Sequence, residues 1–313
     1  MKELIPHDAK IDFMGKAPVC IVLSILAIIA SFYVFVTKGS GSFGTDFSGG
    51  HEFLVTFQGD FDSERIRAGL ASQGIQDARV QAFQGASKEY SIRLSEVAES
   101  ESVRSKVEGA LKGAFGDAAT IQKTDYVGPT VGKELRRSAL LAVVLGIVAM
   151  LIYIAIRFEF SVGLGSIIAL FHDVVISTGI YMASGHLIGM ATLAGALTIV
   201  GYSVNDTVVV FDRVREERNK RKSADLSGVI NEALNFTLSR TIITHVLTLF
   251  SALALYVIGE GDIKDLSLYL VAGILLGAYS TIFIVSPVAL YWERFRGRDA
   301  EGVSHAPQAK RAS

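Results

Sequence analysis

About six stretches of roughly 18 or more mostly apolar residues divide the chain, near 17–37, 139–156, 161–184, 187–211, 241–258 and 267–291. At about 1.5 Å rise per residue, each is long enough to cross a hydrocarbon core of about 30 Å. Half of the 313 residues are hydrophobic, and they are gathered into blocks instead of being spread at core spacing, which excludes an ordinary soluble protein. The single Cys20 lies in the first block, so no disulfide framework exists. A formal charge of −1 says little, because in a membrane protein the placement of charge matters more than its sum.

Lys2, Lys10 and Lys16 precede the first block, as in a secretory signal. Its apolar stretch exceeds the usual 7–15 or so residues of a signal core, and the exit Lys38-Gly39-Ser40-Gly41 has no small-residue cleavage site, so it reads as a retained anchor. Short loops on the side of the N-terminus carry Arg157, then Arg213, Arg215, Arg218, Lys220, Arg221 and Lys222, then Arg294, Arg296 and Arg298. Those on the other side hold Gly185-His186 and the acidic segment 259–265. The excess of positive charge predicts that both termini are cytoplasmic.

The expected organisation is a cytoplasmic N-terminus at 1–16, a first span at 17–37, an external domain at 38–138, a five-helix bundle at 139–292 with a basic cytoplasmic loop at 212–240, and a polar, disordered tail at 293–313. In the external segment, period-2 alternation marks strands at 52–57, 79–83, 90–94 and 120–126. Helical spacing fits 62–73, capped by Asp62 or Ser63 and ended by Gly74, and again 98–115, ended by Gly116. The fold class is therefore membrane α-helical with one external α+β domain of ferredoxin-like order, βαββαβ, between helices 1 and 2. That shape alone assigns no function.

Three motifs in this region lack the context their chemistry needs. The segment 39–44 matches G-x-G-x-x-G but follows a span and opens no helix; 128–133 falls one residue short of a P-loop; His51-Glu52 has Val55 where a second zinc-binding histidine would stand. No cofactor, metal or nucleic acid is expected.

Inside the spans, polar residues are few and each is informative. Asp206 sits in the fourth span, where a carboxylate costs roughly 2.5–3.5 kcal/mol at the helix centre and somewhat less away from it, so a task must require it. Gly195, Ile199, Tyr202 and Asp206 share one face, with Thr198, Gly201 and Asn205 as a neighbouring stripe. Small residues there let another helix approach closely, so Asp206 is expected to face protein or a water-filled cavity. Proton carriage or pairing with a buried cation is its expected role; an acid that only clamps helices is the plainer alternative. Helical spacing through Ile230, Leu234, Thr237 and Leu238 predicts that the fifth helix begins before its apolar run, which sets Arg240 at a depth comparable with Asp206. A snorkelling arginine reads equally well there. His172 and Asp173, midway along the third span, suit either proton exchange or an interhelical clamp, and His245 on the fifth span is a further candidate.

Four segments carry a resemblance: Gly44-Thr45-Asp46-Phe47-Ser48-Gly49-Gly50 after the first span, Val127-Gly128-Pro129-Thr130-Val131-Gly132 before the second, His172-Asp173 in the third, and Gly201-Tyr202-Ser203-Val204-Asn205-Asp206-Thr207 running into Phe211-Asp212-Arg213. From Phe13 to about Arg294 the chain resembles the SecD/SecF family of protein-export membrane proteins, within the resistance-nodulation-division superfamily, and its fourth-span motif fits the SecF branch better than the SecD branch. The resemblance implies a bacterial cytoplasmic-membrane subunit that pairs with SecD, works with the SecYEG channel and YajC, and uses the proton-motive force to promote export of an unfolded preprotein. It also implies proton coupling by Asp206 and Arg240, with no hydrolytic site. On that reading, protonation of Asp206 weakens a pairing with Arg240, helices shift and the outer domain tilts. Six spans with one large loop form half of a superfamily repeat, so a partner of the same layout is expected.

Two other classes stand beside this one. A proton-driven small-molecule or lipid exporter half of the same superfamily would share the buried acid. An intramembrane aspartyl protease could use Asp173 with Asp206, but Val204-Asn205 stand where its G-x-G-D signature needs glycine.

Overall fold

The computed structural model describes residues 10–82, 88–94, 100–221, 225–259 and 261–297. Expectations that fall on 1–9, Phe83, 98–99, Lys222, Glu260 and the tail beyond 297 lie outside the described residues. In chain order the elements are α1 (Phe13–Lys38), the single turn α2 (Thr45–Ser48), β1 (Gly50–Phe57), α3 (Ser63–Ser72), β2 (Arg79–Ala82), β3 (Glu89–Leu94), α4 (Ser100–Phe115), β4 (Ala119–Val127), α5 (Pro129–Arg157), α6 (Phe160–Ala183), α7 (Met190–Lys220), α8 (Leu226–Ile258), α9 (Asp262–Ser280) and α10 (Ser286–Phe295). Thr281–Val285 forms a π-helical turn between the last two. Among the described residues, six helices are long and apolar enough to cross a membrane: α1, α5, α6, α7, α8 and the composite of α9 with α10. The chain divides into two compact units, one comprising Met1–Tyr33, Leu145–Gly179 and Ala194–Ser313, the other Val34–Val144 and Ile180–Leu193.

The second unit contains the expected ferredoxin-like module. Its sheet runs β2-β3-β1-β4 with all neighbours antiparallel, the order a split βαβ unit requires. Alternation along β1 turns Phe53, Val55 and Phe57 inward, where they meet Ile66 and Leu70 of α3 and Val107 of α4. Asp62 caps α3 by accepting a hydrogen bond from the Arg65 N–H at 2.6 Å. Gly74 then leaves that helix at φ +88°, a conformation glycine adopts without steric cost.

The short loop holding Gly185-His186, the α6–α7 connection, belongs to the second unit. The Gly44 N–H donates to the Ile188 carbonyl and the Ile188 N–H to the Ser42 carbonyl, both at 2.8 Å. Asp46 Oδ2 accepts the Met190 N–H at 2.8 Å, placing a carboxylate at the positive end of α7. The P-loop-like segment has a packing role: a Cβ on Gly132 would lie 3.3 Å from the Gly49 backbone nitrogen.

In the first unit, Phe13 and Met14 of α1, Phe211 and Val214 of α7, Ile230 and Leu234 of α8, Val285 of the π turn and Leu290 of α10 share one apolar core. Backbones approach closely where side chains are absent. A Cβ on Gly165 would fall 2.9 Å from the Val285 carbonyl oxygen, and one on Gly195 would fall 2.7 Å from the Tyr269 ring. The π turn has a local cause: Pro287 has no N–H to return to the carbonyl four residues back, and a wider turn absorbs the defect. The basic segment 212–240 is mostly helical instead of a loop, since α7 continues to Lys220 and α8 starts at Leu226. Arg213–Glu217 and Lys220–Glu216 pairs, each at 2.7 Å and one helical turn apart, carry α7 into water.

Candidate functional site

Asp206 is buried, with 6% of its surface exposed, on the face of α7 that packs inward. Its Oδ1 accepts the Thr241 hydroxyl at 2.9 Å. Among the described residues its Oδ2 is buried without a hydrogen bond of normal geometry; the nearby Thr281 hydroxyl is instead 3.1 Å from that of Thr207. His245, one turn beyond Thr241, is also buried, with Nδ1 2.8 Å from the Thr241 carbonyl and Nε2 unpartnered. Its ring and, more weakly, Arg240 are close enough for a charge on either to act on Asp206. Among the described residues no ion pair joins Asp206 to Arg240, whose side chain is exposed. The immediate surroundings of Asp206 are therefore two threonine hydroxyls and an imidazole.

A second cluster is centred on Asp173 of α6 and supported by Ser203 of α7 and Ser280 of α9. Asp173, fully buried, accepts Oγ–H bonds on Oδ2 from Ser203 at 2.8 Å and Ser280 at 2.7 Å. Its Oδ1 stands 2.9 Å from His172 Nδ1, and His172 Nε2 stands 3.1 Å from Ser24 Oγ on α1. Ser24 shares a 2.9 Å bond with the Tyr279 hydroxyl, which donates to the Cys20 carbonyl at 2.6 Å. Counting donors sets the protons in this chain. Tyr279 spends its one hydrogen on a carbonyl, so Ser24 donates to Tyr279 and His172 Nε2–H donates to Ser24. The remaining Nδ1–Oδ1 contact then needs a second proton, held jointly by His172 and Asp173.

Ser203 and Thr207 lie one turn apart on α7, and Ser280 and Thr281 are consecutive, so the two clusters share their supports. No hydrogen bond joins Asp173 directly to Asp206 among the described residues, and each carboxylate has its own set of partners.

Gly195, Ile199 and Asp206 are buried, whereas Thr198, Gly201 and Asn205 form an exposed stripe. Nothing lies within 4 Å of a Cβ placed on Gly201. Thr244 and Arg240 of α8 are likewise exposed, and the Tyr202 hydroxyl donates to the Thr244 carbonyl at 3.0 Å. Sequence reasoning did not find Thr241, Thr281, Ser203, Ser280, Ser24 or Tyr279. Their only signal is a hydroxyl inside an apolar run, which usually means a bond to the residue's own helix.

Residues 106–295 match the family model described as protein export membrane protein SecD/SecF, C-terminal. Protein translocase subunit SecF of Vibrio alginolyticus is 35% identical over 292 residues, covering 93% of this chain and 92% of that protein. The corresponding subunit of Calditerrivibrio nitroreducens is also 35% identical, covering 95% and 98%. Among solved structures, the translocon-associated membrane protein SecDF of Thermus thermophilus is 32% identical with a TM-score of 0.83, over 92% of this chain and 39% of that one. SecDF in its super-membrane-facing form is 34% identical with a TM-score of 0.67, over 94% and 40%. On the family match, the near-complete coverage of SecF relatives and the agreement in fold, the chain belongs to the SecD/SecF family of protein-export membrane proteins, as a SecF translocase subunit.

Proposed function

We propose that this subunit, paired with a SecD half in the bacterial cytoplasmic membrane, converts the proton-motive force into movement that promotes preprotein export through the SecYEG channel, with YajC as an accessory. It acts as a transport subunit without a hydrolytic site, and both termini face the cytoplasm. The observation that carries this reading is Asp206: a buried carboxylate in a membrane helix with one oxygen held by a neutral hydroxyl and the other without a hydrogen bond among the described residues. Taking up a proton turns its free oxygen from acceptor into donor and removes the charge that surrounding groups must stabilise. Arg240 precedes Thr241, so a turn of α8 or a swing of the long guanidinium exchanges a neutral partner of Asp206 for a cation. Two arrangements of one helix contact, biased by one proton, form the bistable element a coupling device needs. One charge moved through 100 mV supplies about 2.3 kcal/mol, enough to shift such an equilibrium by tens-fold.

The SecD half is inferred from the exposed stripe of Asn205, Gly201 and Thr198 on α7, a polar seam that lipid would serve poorly. The solved SecDF chain, of which this chain spans 39%, has length for a second half of similar size. The test is Asp206→Asn in vesicles containing the complete translocase, with ATP limiting and a proton gradient imposed. Gradient-dependent export should fall to background while ATP-driven initiation persists; undiminished export removes the coupling role. An unchanged response of drug or lipid efflux to gene deletion separates this function from that of an exporter half.

A further inference from the structure

At the end of the bundle where α5 turns into α6, a cavity of about 270 Å³ opens between that turn, α7, α8 and α10. Its floor is apolar and buried: Val162, Phe211, Val214, Ile230 and Ala289 are each at most 7% exposed. Its rim is basic, with Arg157, Arg215 and Arg218 opposed by Glu159, while buried Glu293 lies in the wall.

The three arginines are not equivalent. Arg157 is committed, its terminal nitrogen donating to both oxygens of Asp212 at 2.7 and 2.9 Å. Arg218 lies 3.8 Å from Glu159 Oε2, too far for a hydrogen bond. Arg215 is exposed and has no hydrogen bond or ion pair among the described residues. Arg215 and Arg218 line a polar hollow that continues outward over Asn219. Two guanidinium forks with unused donors therefore stand over a greasy slot.

The place matters as much as the chemistry. Arg157 ends one membrane helix and Phe160 begins the next, so the rim lies at the level of the lipid headgroups. Phe160, exposed and 5.1 Å from the Trp292 ring, supplies the aromatic surface that sits at such an interface. Guanidinium forks select phosphate by paired hydrogen bonds. A soluble phosphate would leave the apolar floor unfilled, whereas a lipid satisfies both parts, and basic pockets between membrane helices hold anionic headgroups in this manner.

We propose that this cavity is a binding site for one anionic phospholipid, its phosphodiester held by Arg215 and Arg218 and an acyl chain laid along Val162, Phe211 and Val214. The occupant ties the α5–α6 turn to α7, the helix that carries Asp206.

The experiment is native mass spectrometry of the detergent-purified chain titrated with phosphatidylglycerol, with phosphatidylcholine, glycerol phosphate and inorganic phosphate as separate arms. One phosphatidylglycerol should be retained in preference to phosphatidylcholine, and neither soluble phosphate should compete at matched concentration. Arg215→Gln with Arg218→Gln should weaken retention about tenfold, as expected for loss of charge-assisted bonds. Arg136→Gln with Arg137→Gln, at the other end of α5, should leave it unchanged. Equal retention of the two lipids, full retention by the Arg215 and Arg218 variant, or competition by glycerol phosphate would each overturn the proposal. Ala289→Phe, which fills the floor and keeps every charge, should also reduce retention; if it binds normally, the acyl slot is wrong.

Discussion

Asp206 Oδ1 has one partner, Thr241, and this makes a threonine the most informative residue to change near the buried acid. Thr241→Val keeps the shape and deletes the donor, leaving Oδ1 of a buried carboxylate without its hydrogen bond. It should lower the stability of the solubilised chain by about 1–3 kcal/mol, read by thermal or denaturant unfolding, while Thr241→Ser stays near wild type. A second residue-scale prediction concerns His172. The donor count requires a hydrogen on Nε2, so nitrogen NMR of labelled histidine should show that nitrogen protonated. An unprotonated Nε2 would break the chain from Tyr279 through Ser24 to Asp173. Asp206 was legible from its cost in a membrane, which needs only a residue and its neighbours in sequence. Arg240 was legible in depth but not in direction: it stands on the exposed side of α8, and Thr241 takes the place beside the acid.

At the scale of elements, helices reach their final distances through positions without side chains. Gly165→Ala would put a methyl group 2.9 Å from the Val285 carbonyl and 3.1 Å from its Cα, both backbone atoms that cannot rotate away. It should destabilise the bundle by about 1–3 kcal/mol and disturb the π turn that presents Thr281, observable as a lower melting midpoint. The ferredoxin-like module was readable almost entirely, because period-2 and 3.6-residue patterns are local and its antiparallel order follows from βαββαβ connectivity. The helical content of 212–240 was understated: hydropathy falls where the chain leaves lipid, but ion pairs one turn apart keep the helix intact. The joining of Ser42 and Gly44 to Ile188 left no trace in composition, since it is made by backbone groups nearly 150 residues apart in sequence.

For the whole molecule, the exposed seam of Thr198, Gly201 and Asn205 predicts a partner. Among the described residues a Cβ at Gly201 has nothing within 4 Å, so the melting of Gly201→Leu should be unchanged, whereas co-purification with a SecD half should weaken about tenfold from overpacking at the seam. Equal recovery of the complex would place the partner elsewhere. By itself the sequence determined the six spans, the ferredoxin-like module and the presence of a costly carboxylate, because hydrophobicity, strand alternation and the penalty for a buried charge are properties of short segments. Only the tertiary structure decided which groups touch: Asp206 with Thr241, Asp173 with Ser203 and Ser280, His172 with Ser24. Those meetings depend on how each helix is rotated about its axis, and rotation is set by glycine contacts and packing between helices far apart in the chain, which no local pattern encodes.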